Sequence, residues 1–127
     1  MAYLFVYGTL LQTLDNPMSR FLKNQSEFLG KGYIHGKLYD VGAYPAAILS
    51  DAKTDKIYGT VLKISDVENT FKVLNTYEGA NDLHPLYLKK SVPMYLENGK
   101  TLTVWVYVYN HSVSHLKQIQ SGDYLNP

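Results

Sequence analysis

The chain has 127 residues, 46% of them hydrophobic and 18% charged, with a formal net charge of +1. This size and balance describe one globular domain, residues 1–127, with a core that needs no staples; they exclude a disordered polymer and give no reason to expect nucleic acid or an acidic membrane as a partner. With no cysteine there is no disulfide scaffold, thiol nucleophile or thiolate metal site, and with neither a roughly 18-residue apolar run nor a signal-peptide pattern the expected compartment is the cytoplasm.

Met1 to Tyr7 is a short run of apolar and aromatic residues, which reads as a buried strand. Gly8 breaks it and Thr9 adds a small hydroxyl. A strand that stops at a Gly-Thr pair leaves backbone N–H groups converging on one spot, a cluster suited to carboxylate, phosphate or a developing oxyanion. Local chemistry alone favours an ordinary turn.

Asn16-Pro17 has the form of a helix start, and Met18, Phe21 and Leu22 supply an apolar stripe of core contacts. A strand follows from Glu27 to Tyr39, with Gly36 suggesting a bulge or tight bend inside it. Pro45 marks a loop or the first residue of an edge strand. Lys56 to Ile64 alternates as a strand, with Ile57, Gly59 and Val61 on one face and Tyr58, Thr60, Leu62 and Ile64 on the other. Ser65 to Glu68 reads as a capping box, with Ser65 as N-cap, opening a helix that ends near Glu78-Gly79. Leu86 to Leu96 and Thr101 to Tyr109 form two strands around the hairpin signal Asn98-Gly99. The tail from Ser112 has room for a helical turn.

Few helices fall between neighbouring strands, so a doubly wound parallel sheet does not fit. The order predicts an α+β fold: a small, mixed, mainly antiparallel barrel-like sheet with flanking helices. The 12 tyrosines favour a β-rich protein with a lined cavity.

Among the charged residues Glu78 stands out. It closes a predicted helix, where the partial negative charge of the helix end disfavours a carboxylate. A solvated surface position accommodates that. A turn into an aromatic cavity would instead raise its pKa and suit it to proton transfer near neutral pH. His111 and His115 are four apart without a third ligand nearby, which reads as solvated tail residues rather than a metal site. His35 and His84 are single. The phosphate-binding loop, the dinucleotide fingerprint and the serine-hydrolase elbow are all absent.

Taken together, Tyr7-Gly8-Thr9-Leu10, Tyr44-Pro45-Ala46-Ala47, Tyr58-Gly59-Thr60-Val61, Leu74 to Gly79 followed by Tyr87, and Gly122-Asp123-Tyr124 resemble the γ-glutamylcyclotransferase-like, or AIG2-like, family along essentially the whole chain. The compact size is most similar to the γ-glutamylamine cyclotransferase branch. The resemblance implies release of 5-oxoproline from a γ-glutamyl compound. It implies a substrate site at Tyr7, Gly8, Thr9, Leu10, Tyr44 and Tyr87, and Glu78 as the acid/base. No cofactor or metal is implied, and the partner is a small-molecule γ-glutamyl substrate. Lys89 stands where the family pattern often has Arg, and Ala80 to Leu86 matches poorly. These departures bear on the leaving group more than on the reaction type. Two other readings keep the residues but not the chemistry: a catalytically silent binding module of the same fold, and an interaction protein with an exposed tyrosine patch.

Overall fold

A computed structural model describes residues 2–7, 26–40, 45–70, 72, 87–110 and 112–123. Their strands are β1 (Ala2–Val6), β2 (Ser26–Asp40), β3 (Pro45–Leu49), β4 (Lys56–Ile64), β5 (Tyr87–Leu96), β6 (Thr101–Tyr109) and β7 (Lys117–Gln118). The spatial order is β3-β2-β4-β1-β6-β5, and β5 pairs again with β2. That last pairing closes a small mixed barrel. Every ladder is antiparallel except β1–β6, where Leu4 lies opposite Trp105.

The 15-residue β2 makes closure possible because it serves several partners in turn. Its first part pairs with β4, its middle touches β5 at Gly32 and Tyr33, and its last part takes β3 and the short β7. The bulge expected at Gly36 lies elsewhere: the register slips between Phe28 and Gly30. Gly36 is instead the residue where β2 changes partner, the last pair with β4 being His35–Lys56 and the first with β3 Gly36–Leu49. Pro45 opens the edge strand β3, the place where its missing N–H costs no ladder bond.

The hairpin between β5 and β6 forms where Asn98-Gly99 predicts it, through a different turn. Gly99 N–H donates to the Leu96 carbonyl at 3.0 Å, and Gly99 has φ +88°. Asn98 keeps a negative φ, so this is a three-residue loop closed by a left-handed glycine, not a two-residue turn with both central residues at positive φ. The Asn98 side chain accepts from Lys100 N–H at 2.9 Å.

The barrel interior is filled by Phe5, Tyr7, Ile34, Ile57, Val61, Met94 and alternate valines of β6, Val104, Val106 and Val108. One part of the wall is buried on its outer side too. Ala2, Leu4 and Val6 of β1 stand directly opposite Ile64, Leu62 and Thr60 of β4, and all six are 7% exposed or less. This double burial explains why β1 reads as an unbroken apolar run rather than an alternating one. It also corrects the simple two-faced reading of β4, whose second half buries residues on both sides.

Helical structure occurs at 67–70 and at 72. It starts one residue later than the capping-box pattern places it: Thr70 N–H donates to the Asp66 carbonyl at 3.0 Å, which makes Asp66 the cap, with φ +43°. The Thr70 hydroxyl, fully buried, donates to the Ser65 carbonyl at 3.0 Å.

The tail docks on the barrel without a long helix. Ile119 N–H donates to the Leu38 carbonyl at 2.7 Å, and the Gly122 carbonyl accepts from Tyr58 N–H at 2.8 Å. Gly122 has φ +72°, and a Cβ there would sit 1.9 Å from the Lys56 carbonyl oxygen. Only glycine allows that approach. Among the described residues no helix is long and apolar enough to cross a membrane.

Candidate functional site

The end of β1 is fixed from three directions. The Tyr7 ring lies in the barrel core, stacked near Phe5 at 6.1 Å between centroids. Its hydroxyl donates to the backbone carbonyl of Tyr107 on β6, which ties the residue that follows β1 to the neighbouring strand. Gly59 of β4 passes so close to the Val6 carbonyl that a Cβ would come within 2.3 Å of it. The backbone is therefore held in place up to Tyr7.

Of the residues that the sequence marks for the site, Tyr7 is thus placed and anchored. Gly8, Thr9, Leu10, Tyr44 and Glu78 lie outside the described residues. Tyr87 begins β5 opposite Tyr109, and its side chain also lies outside them. The meeting of Glu78 with the loop after Tyr7 therefore stays an expectation. His111 lies outside the described residues as well, and His115 is an exposed turn residue. Among the described residues no group of three His, Cys, Asp or Glu gathers as metal ligands would.

One charged residue of β5 is the lysine that stands where the family pattern often has Arg. Lys89 of β5 lies opposite Tyr107, the residue whose carbonyl holds Tyr7. Its Nζ sits 4.6 Å from the centroid of the Trp105 ring, within cation–π range. Partial burial lowers the Lys89 pKa from the ordinary lysine value by disfavouring the charged form. Because the folded value lies below the unfolded one, holding this ammonium charged costs stability at neutral pH. That cost fades as pH rises through the lowered pKa toward the unfolded value. The three-residue loop sets this register: it pairs Leu96 with Lys100 and so puts Lys89 opposite Tyr107, whereas a two-residue turn at Asn98-Gly99 would have put it opposite Val108.

The profile of the family described as "Gamma-glutamyl cyclotransferase, AIG2-like" matches residues 4–126. The chain belongs to this family. A "Putative gamma-glutamylcyclotransferase" of Methanocaldococcus jannaschii is 34% identical over 124 residues, covering 98% of this chain and 96% of the relative. The solution structure of the protein ytfP of Escherichia coli is 26% identical with a TM-score of 0.69, covering 98% of this chain and 96% of that one. An AIG2-like protein of Mus musculus has a TM-score of 0.72 at 20% identity over 91% of this chain and 81% of its own, a likeness of fold. For a γ-glutamylcyclotransferase-like chain, the barrel and the anchored Tyr7 are the parts of the expected site that the described residues supply.

Proposed function

We propose that the protein is a γ-glutamyl cyclotransferase that releases 5-oxoproline from a γ-glutamyl amine or γ-glutamyl amino acid. The observation that carries this reading is the family match across residues 4–126, joined to a Tyr7, immediately before Gly8-Thr9-Leu10 in the sequence, whose hydroxyl is bonded into the barrel wall.

The reaction needs little from the protein beyond position and one proton carrier. The substrate's α-amine attacks its own γ-carbonyl carbon, forming the new C–N bond of a five-membered lactam. The bond from that carbon to the leaving amine then breaks. The nucleophile is part of the substrate, so holding it near the carbonyl supplies much of the rate. Glu78 takes one proton from the α-ammonium and a second from the same nitrogen once the C–N bond has formed, and passes both to the departing nitrogen, which leaves as an ammonium, so protons balance without water. Backbone N–H groups of residues 8–10 grip the oxyanion or the α-carboxylate, and Tyr44 and Tyr87 line the site. We place the reaction in the cytoplasm.

The test is a panel of γ-glutamyl amines and dipeptides assayed for 5-oxoproline, with Glu78→Gln beside the wild type. The variant keeps shape and removes the base, so turnover falls by at least about a hundredfold while substrate still binds. Undiminished turnover refutes the role of Glu78. Binding by the wild type with no 5-oxoproline released leaves the chain a binding module.

A further inference from the structure

The Gly122-Asp123 motif has no part in the proposed reaction, yet the fold gives it a definite place. β1 pairs with β4 as far as Val6–Thr60. Alternate residues of β4 turn their backbone groups to that edge, so the next N–H facing it is that of Tyr58. It donates to the Gly122 carbonyl at 2.8 Å. The tail therefore takes over, beside β4, the lane that β1 occupies up to Val6. The approach is close: a Cβ on Gly122 would sit 1.9 Å from the Lys56 carbonyl oxygen, and its φ is +72°. Upstream, Ile119 N–H donates to the Leu38 carbonyl at 2.7 Å, and β7 pairs with Tyr39 and Asp40 of β2. Residues 117–123 thus run as a strap from β2 to the edge of β4.

This strap is tied more lightly than the strands it lies on. Within it, Ile119 is the side chain that joins the core, beside Leu38 and Ile57, while Lys117, Gln120 and Ser121 are exposed. β4, in contrast, has β2 along its whole length and β1 along half of it. The strap also holds its own shape. Gly122 N–H donates to the Ile119 carbonyl at 3.0 Å, and Asp123 N–H donates to the Ser121 hydroxyl oxygen at 3.2 Å. A segment bonded within itself and lightly tied to its surroundings opens in one piece, at lower free energy than the core. We propose that residues 117–123 open and close as a unit over the core at Leu38 and Ile57, with Gly122 as the latch on β4. Opening frees the Tyr58 N–H and uncovers Leu38 and Ile57 without disturbing the β1–β4 wall. The device does not depend on the cyclotransferase reading.

Amide hydrogen exchange of the full chain, followed by NMR in rising sub-denaturing urea, tests this. The Tyr58, Ile119 and Gly122 amides exchange together and faster than the amides of the β1–β4 ladder. Their exchange hardly depends on urea, because little surface is exposed when the strap opens. Gly122→Ala puts a side chain at positive φ and against the Lys56 carbonyl. It speeds the Tyr58 and Ile119 amides at least about tenfold and leaves the ladder amides as they were. Leu4→Ala does the reverse: it speeds the ladder amides and leaves those of the strap unchanged. Exchange of Tyr58 and Ile119 at the rate and urea slope of the ladder overturns the proposal, since the strap then opens only with the whole fold. Separate rates for Tyr58 and Ile119 overturn it too, because the segment is then not one unit. Should Gly122→Ala fail to fold, the wild-type rates and the Leu4→Ala variant decide the matter.

Discussion

The two sides of the barrel are built differently. The wall formed by β4, β1 and β6 is buried inside and out: Leu4 and Leu62 pack outward as a directly opposed pair while Phe5 and Val61 fill the interior. The seam where β2 meets β5 has only two register pairs, Gly32–Leu96 and Tyr33–Tyr95, and its outer surface is an aromatic layer. There Tyr33 stacks on Tyr95 at 5.4 Å, Tyr58 meets Tyr33 edge-on at 5.9 Å, and the Lys56 ammonium lies 4.7 Å from the Tyr33 ring centre. The wall gains from volume burial on two faces and the seam from ring contacts beside water. The anchored Tyr7 and the Lys89–Trp105 pair sit with the wall. On the proposed function, the site would start from the part of the barrel where packing leaves the least freedom.

Three substitutions sharpen or break this contrast. Leu4→Ala removes a fully buried side chain from the outer layer and costs about 2–5 kcal/mol by denaturant unfolding. A cost near zero would show that the outer layer does not hold the wall. Tyr7→Phe keeps the ring in the core and deletes the donor to the Tyr107 carbonyl. Stability drops by about 1 kcal/mol, and 5-oxoproline release falls further than stability alone explains, because the exit toward Gly8 loosens. Equal activity in that variant would separate the anchor from the site. Tyr58→Ala gives the smallest effect. The ring is 42% exposed and makes one edge contact, so the loss is about 0.5–1 kcal/mol with turnover unchanged. A clear loss of turnover there would place the aromatic seam in the site and end the division between the two sides.

Much of the strand order was legible because each strand carries its own local signal. The Lys56 to Ile64 alternation and the Asn98-Gly99 turn gave β4 and the β5–β6 hairpin directly. Pro45 named an edge, and β3 is one. The misses are positional and have physical causes. Gly36 reads as a bulge because glycine in a strand usually weakens pairing, yet its place at the change of partner is a matter of close approach: a Cβ there would lie 2.4 Å from the Ile48 carbonyl oxygen. The cap moved from Ser65 to Asp66 because Thr70 bonds backward to both residues, a preference no sequence rule ranks. In the candidate site, Tyr7 was legible as the residue at a strand's end. Its bond to a carbonyl 100 positions away was not.

By itself the sequence determined the periodicities, the turns and the family, since each is written in neighbouring residues or in short motifs in a fixed order. Closure of β5 onto β2, the second burial of the outer wall, and the lysine placed beside the anchor of Tyr7 were decided only by the tertiary structure. They depend on contacts between segments far apart in the chain, and such contacts leave no local pattern to read.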